Sequence, residues 1–172
     1  QKRIEFLDDR SSAIMETCVA AGYALDLGTI SAVVGTSIQE ASCYGNREKG
    51  YEGVRPTKPR IEEIIEFAQR MNYQRLGMAF CIGLRKEAKA VEQLFGSRGF
   101  EMVSVVCKAG RSSKEFIGLD RADQIDPSKE EAMCNPILQA MVLNREKTDF
   151  NIMLGLCVGH GSLFFKYSEA RC

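Results

Sequence analysis

Two short apolar runs, Leu76-Gly77-Met78-Ala79-Phe80 and Met102-Val103-Ser104-Val105-Val106, flank a stretch where Leu84, Ala88, Val91 and Phe95 recur at helical spacing and Gly96 closes the stripe. Runs of this length suit strands covered on both faces, and a stripe at three- and four-residue steps suits a helix with one buried side. Strand, helix, strand is a βαβ unit, which requires parallel strands joined by a right-handed crossover. A third run, Ile152-Met153-Leu154-Gly155-Leu156, precedes a helix expected from Gly161 to Tyr167. Between the second and third runs, Asn135-Pro136 reads as an N-cap followed by proline at the first helical position, with Ile137, Leu138, Met141 and Val142 facing inward. The expected fold is α/β: three layers around a small, mostly parallel sheet built from βαβ units, preceded by an N-terminal helical segment.

Upstream, Ile14, Cys18, Ala21 and Leu25 form a helical stripe that starts near Ser11 and assigns Cys18 to the core. Thr29-Ile30-Ser31-Ala32-Val33-Val34-Gly35 suits a strand or a helix, and its continuation to Ile38 and Ala41 favours the helix. Residues 43–58, with Gly45, Gly50, Gly53 and Pro56, read as an exposed loop. Pro59 fits the first turn of a helix striped by Ile61, Ile64, Ile65, Ala68 and Met71. Residues 108–129 form a polar connection long enough to cover whatever the strands present. A length of 172 residues suits one domain, 1–172, with a helical segment over 1–45 and a βα core over 59–172.

Lys and Arg number 23, as do Asp and Glu. Zero net charge argues against a main role in gripping nucleic acid or an anionic membrane, and no run reaches the ~20 apolar residues of a membrane span. Seven cysteines, an odd number, accompany one histidine. The opening Gln1-Lys2-Arg3-Ile4-Glu5 lacks a signal-peptide pattern, and an initiator or tag is expected before Gln1. Together these features point to a reducing, cytoplasmic compartment.

Cys81, Cys107 and Cys157 each follow one of the three runs. In Phe80-Cys81-Ile82-Gly83 and Leu156-Cys157-Val158-Gly159 the glycine is expected to let the backbone turn beside the thiol. The carboxyl ends of parallel strands share one edge, ~4.8 Å apart, so these thiols can converge where open α/β sheets bind ligands. Cys134 adds a thiol at a helix start, where free N–H groups and the macrodipole favour the thiolate. His160, three residues after Cys157, is expected either to hydrogen-bond a sulfur of a metal centre there or to bind the metal itself as an alternative ligand. Gly110-Arg111-Ser112-Ser113 is a weaker, anion-cradling candidate, through Arg111, Ser112 and Ser113. Cys43 and Cys172 have no assigned role, and Arg85-Lys86-Glu87 and Ser128-Lys129-Glu130-Glu131 read as solvated helix surface.

Ala79-Phe80-Cys81-Ile82-Gly83-Leu84, Cys134-Asn135-Pro136-Ile137 and Gly155-Leu156-Cys157-Val158-Gly159-His160 together resemble the uncharacterised prokaryotic metal-binding proteins called domain of unknown function family 1847. The resemblance covers residues 60–167 and implies a cytoplasmic α/β protein that binds metal, with no established reaction. It supports Cys81, Cys107, Cys134 and Cys157 as a set, and it implies a further strand near the carboxyl end.

The first expectation is that these four cysteines bind an iron–sulfur cluster or a zinc ion, since either takes four thiolates, in a redox, electron-transfer or metal-carrying role. The corresponding partner is a redox or metal-delivery protein, and a homodimer is compatible with the apolar first helix. One alternative is metal-free thiol chemistry, with Cys134 as nucleophile and a strand-end cysteine resolving it. Another is a small anionic-ligand module at the same edge. No carboxylate pair or nucleophile elbow marks the chain as an enzyme.

Overall fold

The structure, a computed structural model, describes residues 26–172. The helix read from Ser11, with Cys18 on its stripe, lies outside the described residues. The chain divides into two compact units, Gln1–Asn72 and Tyr73–Cys172. The division falls inside the 59–172 span read from the sequence as a βα core.

In the first unit, α1 (Leu27–Ser42) takes the helical alternative for the β-branched stretch. Asp26 caps it, accepting the Thr29 N–H at 2.9 Å and the Thr29 hydroxyl at 2.7 Å. Cys43 ends the helix; it is buried, its thiol donates to the Gln39 carbonyl at 3.0 Å, and it therefore serves as core. The expected loop over 43–58 contains a two-residue antiparallel pair, β1 (Tyr44–Gly45) with β2 (Arg55–Pro56). Pro59 is the N-cap of α2 (Arg60–Arg70), one position earlier than expected, and Ile65, Phe67 and Ala68 are buried.

The second unit holds β3 (Arg75–Phe80), α3 (Arg85–Ser97), β4 (Glu101–Val106), α4 (Pro136–Arg145), β5 (Phe150–Leu154) and α5 (Val158–Tyr167). The three strands form a parallel sheet in the order β4-β3-β5. The chain steps from β3 to β4, then returns past β3 to β5. Two right-handed crossovers running in opposite directions place their helices on opposite faces and leave a switch point between β3 and β5. Packing agrees with this. Ala79 and Val105 meet Ala140 and Leu143 of α4 and Phe164 of α5 in one buried cluster, while Ser104, on the other face of β4, donates to Glu92 of α3. Beside β5, Arg171 forms a single parallel bridge to Phe150.

Two departures from the sequence reading have local causes. On α4 the buried residues are Pro136, Gln139, Ala140 and Leu143, whereas Met141, expected inward, is 59% exposed. The helix is apolar nearly all round, and the polar Gln139 sits in the middle of its true inner stripe. The other departure is in the third strand, which ends at Leu154 rather than Leu156. Gly155 adopts φ +66, and a Cβ there would overlap Leu84 Cδ1. Only glycine takes this conformation without strain while packed that closely.

Candidate functional site

Continuing the β3–β4 register by one residue puts Cys81 level with Cys107 at the carboxyl edge of the sheet. The Cys107 N–H donates to the Phe80 carbonyl at 2.8 Å, and the Cys81 N–H to the Leu154 carbonyl at 3.0 Å, so both positions are held by ladder bonds. The turn to α3 then brings the Ile82 N–H to Cys107 Sγ at 3.4 Å.

Cys134 reaches the same place through the excursion over 107–135, which is a pinned hairpin. Ser113 pairs antiparallel with Ala132, the Met133 N–H donates to the Ser112 carbonyl at 2.8 Å, and the Asn135 N–H donates to the Cys107 carbonyl at 2.7 Å. The cysteines at its two ends therefore meet: the Cys134 thiol donates to Cys107 Sγ at 3.6 Å. Cys107 is buried, and Cys81 and Cys134 are half-buried. Burial pushes the Cys107 thiol up to about 11; the Ile82 N–H opposes this, and the nearby Cys134 and Cys81 thiols add to it.

Glu131, expected on a solvated helix surface, is the clasp of this hairpin. Its carboxylate takes Lys114 Nζ at 2.9 Å, Lys108 Nζ at 3.2 Å and the Ile125 N–H at 3.1 Å. Lys114 foremost holds the carboxyl down at about 2 from an ordinary 4.5; burial opposes it, and the Ile125 N–H and Lys108 add to the lowering. Because the folded value is the lower one, the clasp is fully formed above about 4.5 and is lost as pH falls toward about 2. Hydrogen-exchange protection of residues 108–134 is expected to fall through that window, while that of β3 persists. Glu131→Gln should show the weakened protection already at pH 6; unchanged protection in that variant would rule out the clasp.

The remaining site candidates fall elsewhere. Cys157 is exposed and lies three residues beyond the end of β5, two residues past the level of Cys81. It is the N-cap of α5, whereas Cys134 stands one residue before the Asn135 cap, whose side chain accepts the Leu138 N–H at 2.9 Å. The helix-start position read for Cys134 is therefore the one that Cys157 occupies. His160 is half-buried on the first turn of α5. Gly83 and Gly159 are not the turning glycines, since they lie within a 3-10 turn (Ile82–Leu84) and α5 and neither has positive φ; Gly155 has that role. Arg111 is exposed with φ +52, while the Ser112 carbonyl and the Ser113 hydroxyl, which accepts the Glu115 N–H at 3.1 Å, are engaged within the hairpin. Among the described residues, no three of His, Cys, Asp or Glu form a group that could hold a metal ion. No helix among them is long and apolar enough to cross a membrane.

Fold and site thus define a parallel α/β protein with thiols gathered at the carboxyl edge of its sheet. The chain belongs to the family described as Protein of unknown function (DUF1847), which it matches over residues 10–172. It is similar to the uncharacterized protein MJ0455 of Methanocaldococcus jannaschii, with 49% identity over 113 residues, 66% of this chain and 56% of that protein. The chain therefore matches little more than half the length of this curated relative. No solved structure matches it.

Proposed function

We propose that the carboxyl edge of the β4-β3-β5 sheet is a thiolate metal site, built on Cys107 and Cys134 and completed by Cys81 and Cys157. One observation carries this reading: the 3.6 Å separation of Cys107 and Cys134. Two thiolates on one tetrahedral zinc, each ~2.3 Å from the ion, stand ~3.8 Å apart. In a cubane cluster each thiolate binds a different iron and the sulfurs spread farther, so the spacing favours zinc over that cluster. It also suits a single iron that carries two thiolates. Crowding supports the same reading, because the buried Cys107 thiol resists ionising until a cation offsets its charge. Closing the shell requires the Cys81 and Cys157 side chains to turn toward the pair, with His160 as the alternative fourth ligand. The bound ion would supply charge to hold the thiolates, in a structural, metal-carrying or electron-transfer role.

The exposed Ile82 and Val158, next to Cys81 and Cys157, give a metal-delivery or redox protein an apolar rim to dock on. The free thiols suit a cytoplasmic setting.

The same short distance favours a second reading, thiol–disulfide exchange. In it the Cys134 thiolate attacks an oxidised dithiol partner, and Cys107 resolves the mixed disulfide, passing both electrons to that partner. Thiol titration of anaerobically purified protein separates the two readings. A metal site protects Cys81, Cys107, Cys134 and Cys157 until a chelator is added. If those thiols react equally fast with and without chelator, the metal reading is wrong; a 107–134 disulfide formed by an oxidised, disulfide-bearing protein partner, which leaves as the dithiol, would then support exchange.

A further inference from the structure

Gln139 is polar yet has no solvent exposure. Its side chain leaves the helix to reach the sheet: Nε2 donates to the Val105 carbonyl at 2.7 Å and to the Phe80 carbonyl at 3.3 Å. Phe80 immediately precedes Cys81, Val105 lies two residues before Cys107, and α4, which carries Gln139, starts two residues after Cys134. A single amide therefore bridges the three segments that bring the thiols together.

Stability does not account for this residue. Its Oε1 is buried with no hydrogen-bond partner among the described residues. A half-satisfied buried amide is worse than an apolar side chain of the same shape, and the neighbouring positions of α4 are apolar. What the amide provides is geometric, because its two donors hold the ends of β3 and β4 at a set distance from the start of α4.

We propose that Gln139 is the positioning residue of the thiol site, setting the approach of Cys134 to Cys107 and Cys81. The ligand in this inference rests on the metal reading, but the approach of the thiols can be measured without metal. Two readouts serve. The first is anaerobic titration with cobalt(II), whose tetrahedral thiolate complexes absorb strongly. The second is the rate at which diamide, a thiol oxidant that is reduced to its hydrazine as it takes two electrons and two protons, forms the 107–134 disulfide in chelator-treated protein.

Gln139→Met matches the volume and removes the donors. It is expected to keep the circular dichroism of the parent, to bind cobalt at least about tenfold more weakly with reduced tetrahedral bands, and to change the disulfide rate at least about threefold. Thr148→Val, which removes the hydroxyl that bonds Asn151 at 2.7 Å just before β5 begins, should lower stability and leave both readouts unchanged. If Gln139→Met fails to fold, Gln139→Asn, the same amide one methylene shorter, carries the comparison. Parental cobalt binding and disulfide rate in the folded variant would overturn the inference. A parent protein that binds no cobalt would instead count against the metal reading, and the disulfide rate would decide the role of Gln139.

Discussion

Cys107→Ala and Cys134→Ala are each expected to lose roughly nine-tenths or more of the bound metal after dialysis, since removing one of two adjacent thiolates leaves no bidentate anchor. Cys107 should be the more severe of the two. Its sulfur is buried, accepts the Ile82 N–H and accepts the Cys134 thiol, so its loss removes the sulfur at the centre of the pair. Cys81→Ala should follow closely, because Cys81 is level with Cys107 on the neighbouring strand. Cys157→Ala is expected to cost less: an exposed N-cap thiol two residues past that level is replaceable by His160 or water. Cys43→Ala should retain all the metal, although the protein is destabilised, because that thiol is buried against Gln39 in the other unit. Elemental analysis of the five variants gives the order. Equal retention in Cys107→Ala and Cys43→Ala would contradict it.

The second large effect concerns folding. Gly77→Ala is expected to destabilise the protein by ~2–4 kcal/mol in urea unfolding. Gly77 and Asn151 are cross-strand neighbours on the face beneath α4, and a Cβ at Gly77 would overlap Asn151 Oδ1 and come within 2.9 Å of Leu143 Cδ1. Neither neighbour can retreat. Leu143 is fully buried. Asn151 accepts the Thr148 hydroxyl at 2.7 Å and donates to the Ser168 hydroxyl at 2.8 Å, and moving it strands buried polar groups. A loss under ~0.5 kcal/mol, within the range of ordinary surface substitutions, would show that the face has slack. Paired with Asn151→Ala in a double-mutant cycle, Gly77→Ala should be much less costly, because the obstruction is removed with it.

The parallel sheet was legible because its strands, with β3 buried and β4 and β5 largely half-buried, are short apolar runs that stand apart from the helical stripe of α3. The N-cap Asn135 was legible because capping is a local side-chain-to-backbone bond. Cys81 and Cys107 follow from strand position alone, whereas Cys134 joined them in the sequence reading only as a thiol at a helix start and as part of the set that the resemblance supports. The means of that approach was not: the hairpin is held by Glu131 with Lys108 and Lys114, ion pairs between residues far apart in sequence, and nothing in a charged stretch shows which charge will be clasped. Gln139 was hidden for a related reason. Polar residues read as solvent-facing, and only the assembled strand ends supply the carbonyls that draw its amide inward. Cys157 was placed level with the other strand-end thiols because Gly155 looked like part of the apolar run. Its positive φ, which ends the strand early, is visible only in the fold.

X-ray absorption at the metal edge of anaerobically purified protein tests the central claim most directly. The predicted result is about one zinc or iron site per chain with three or four sulfur ligands at ~2.3 Å, falling to a minor fraction in Cys107→Ala. A chain that stays metal-free after anaerobic reconstitution, or one whose metal has only nitrogen and oxygen neighbours, would contradict a thiolate metal site at this edge.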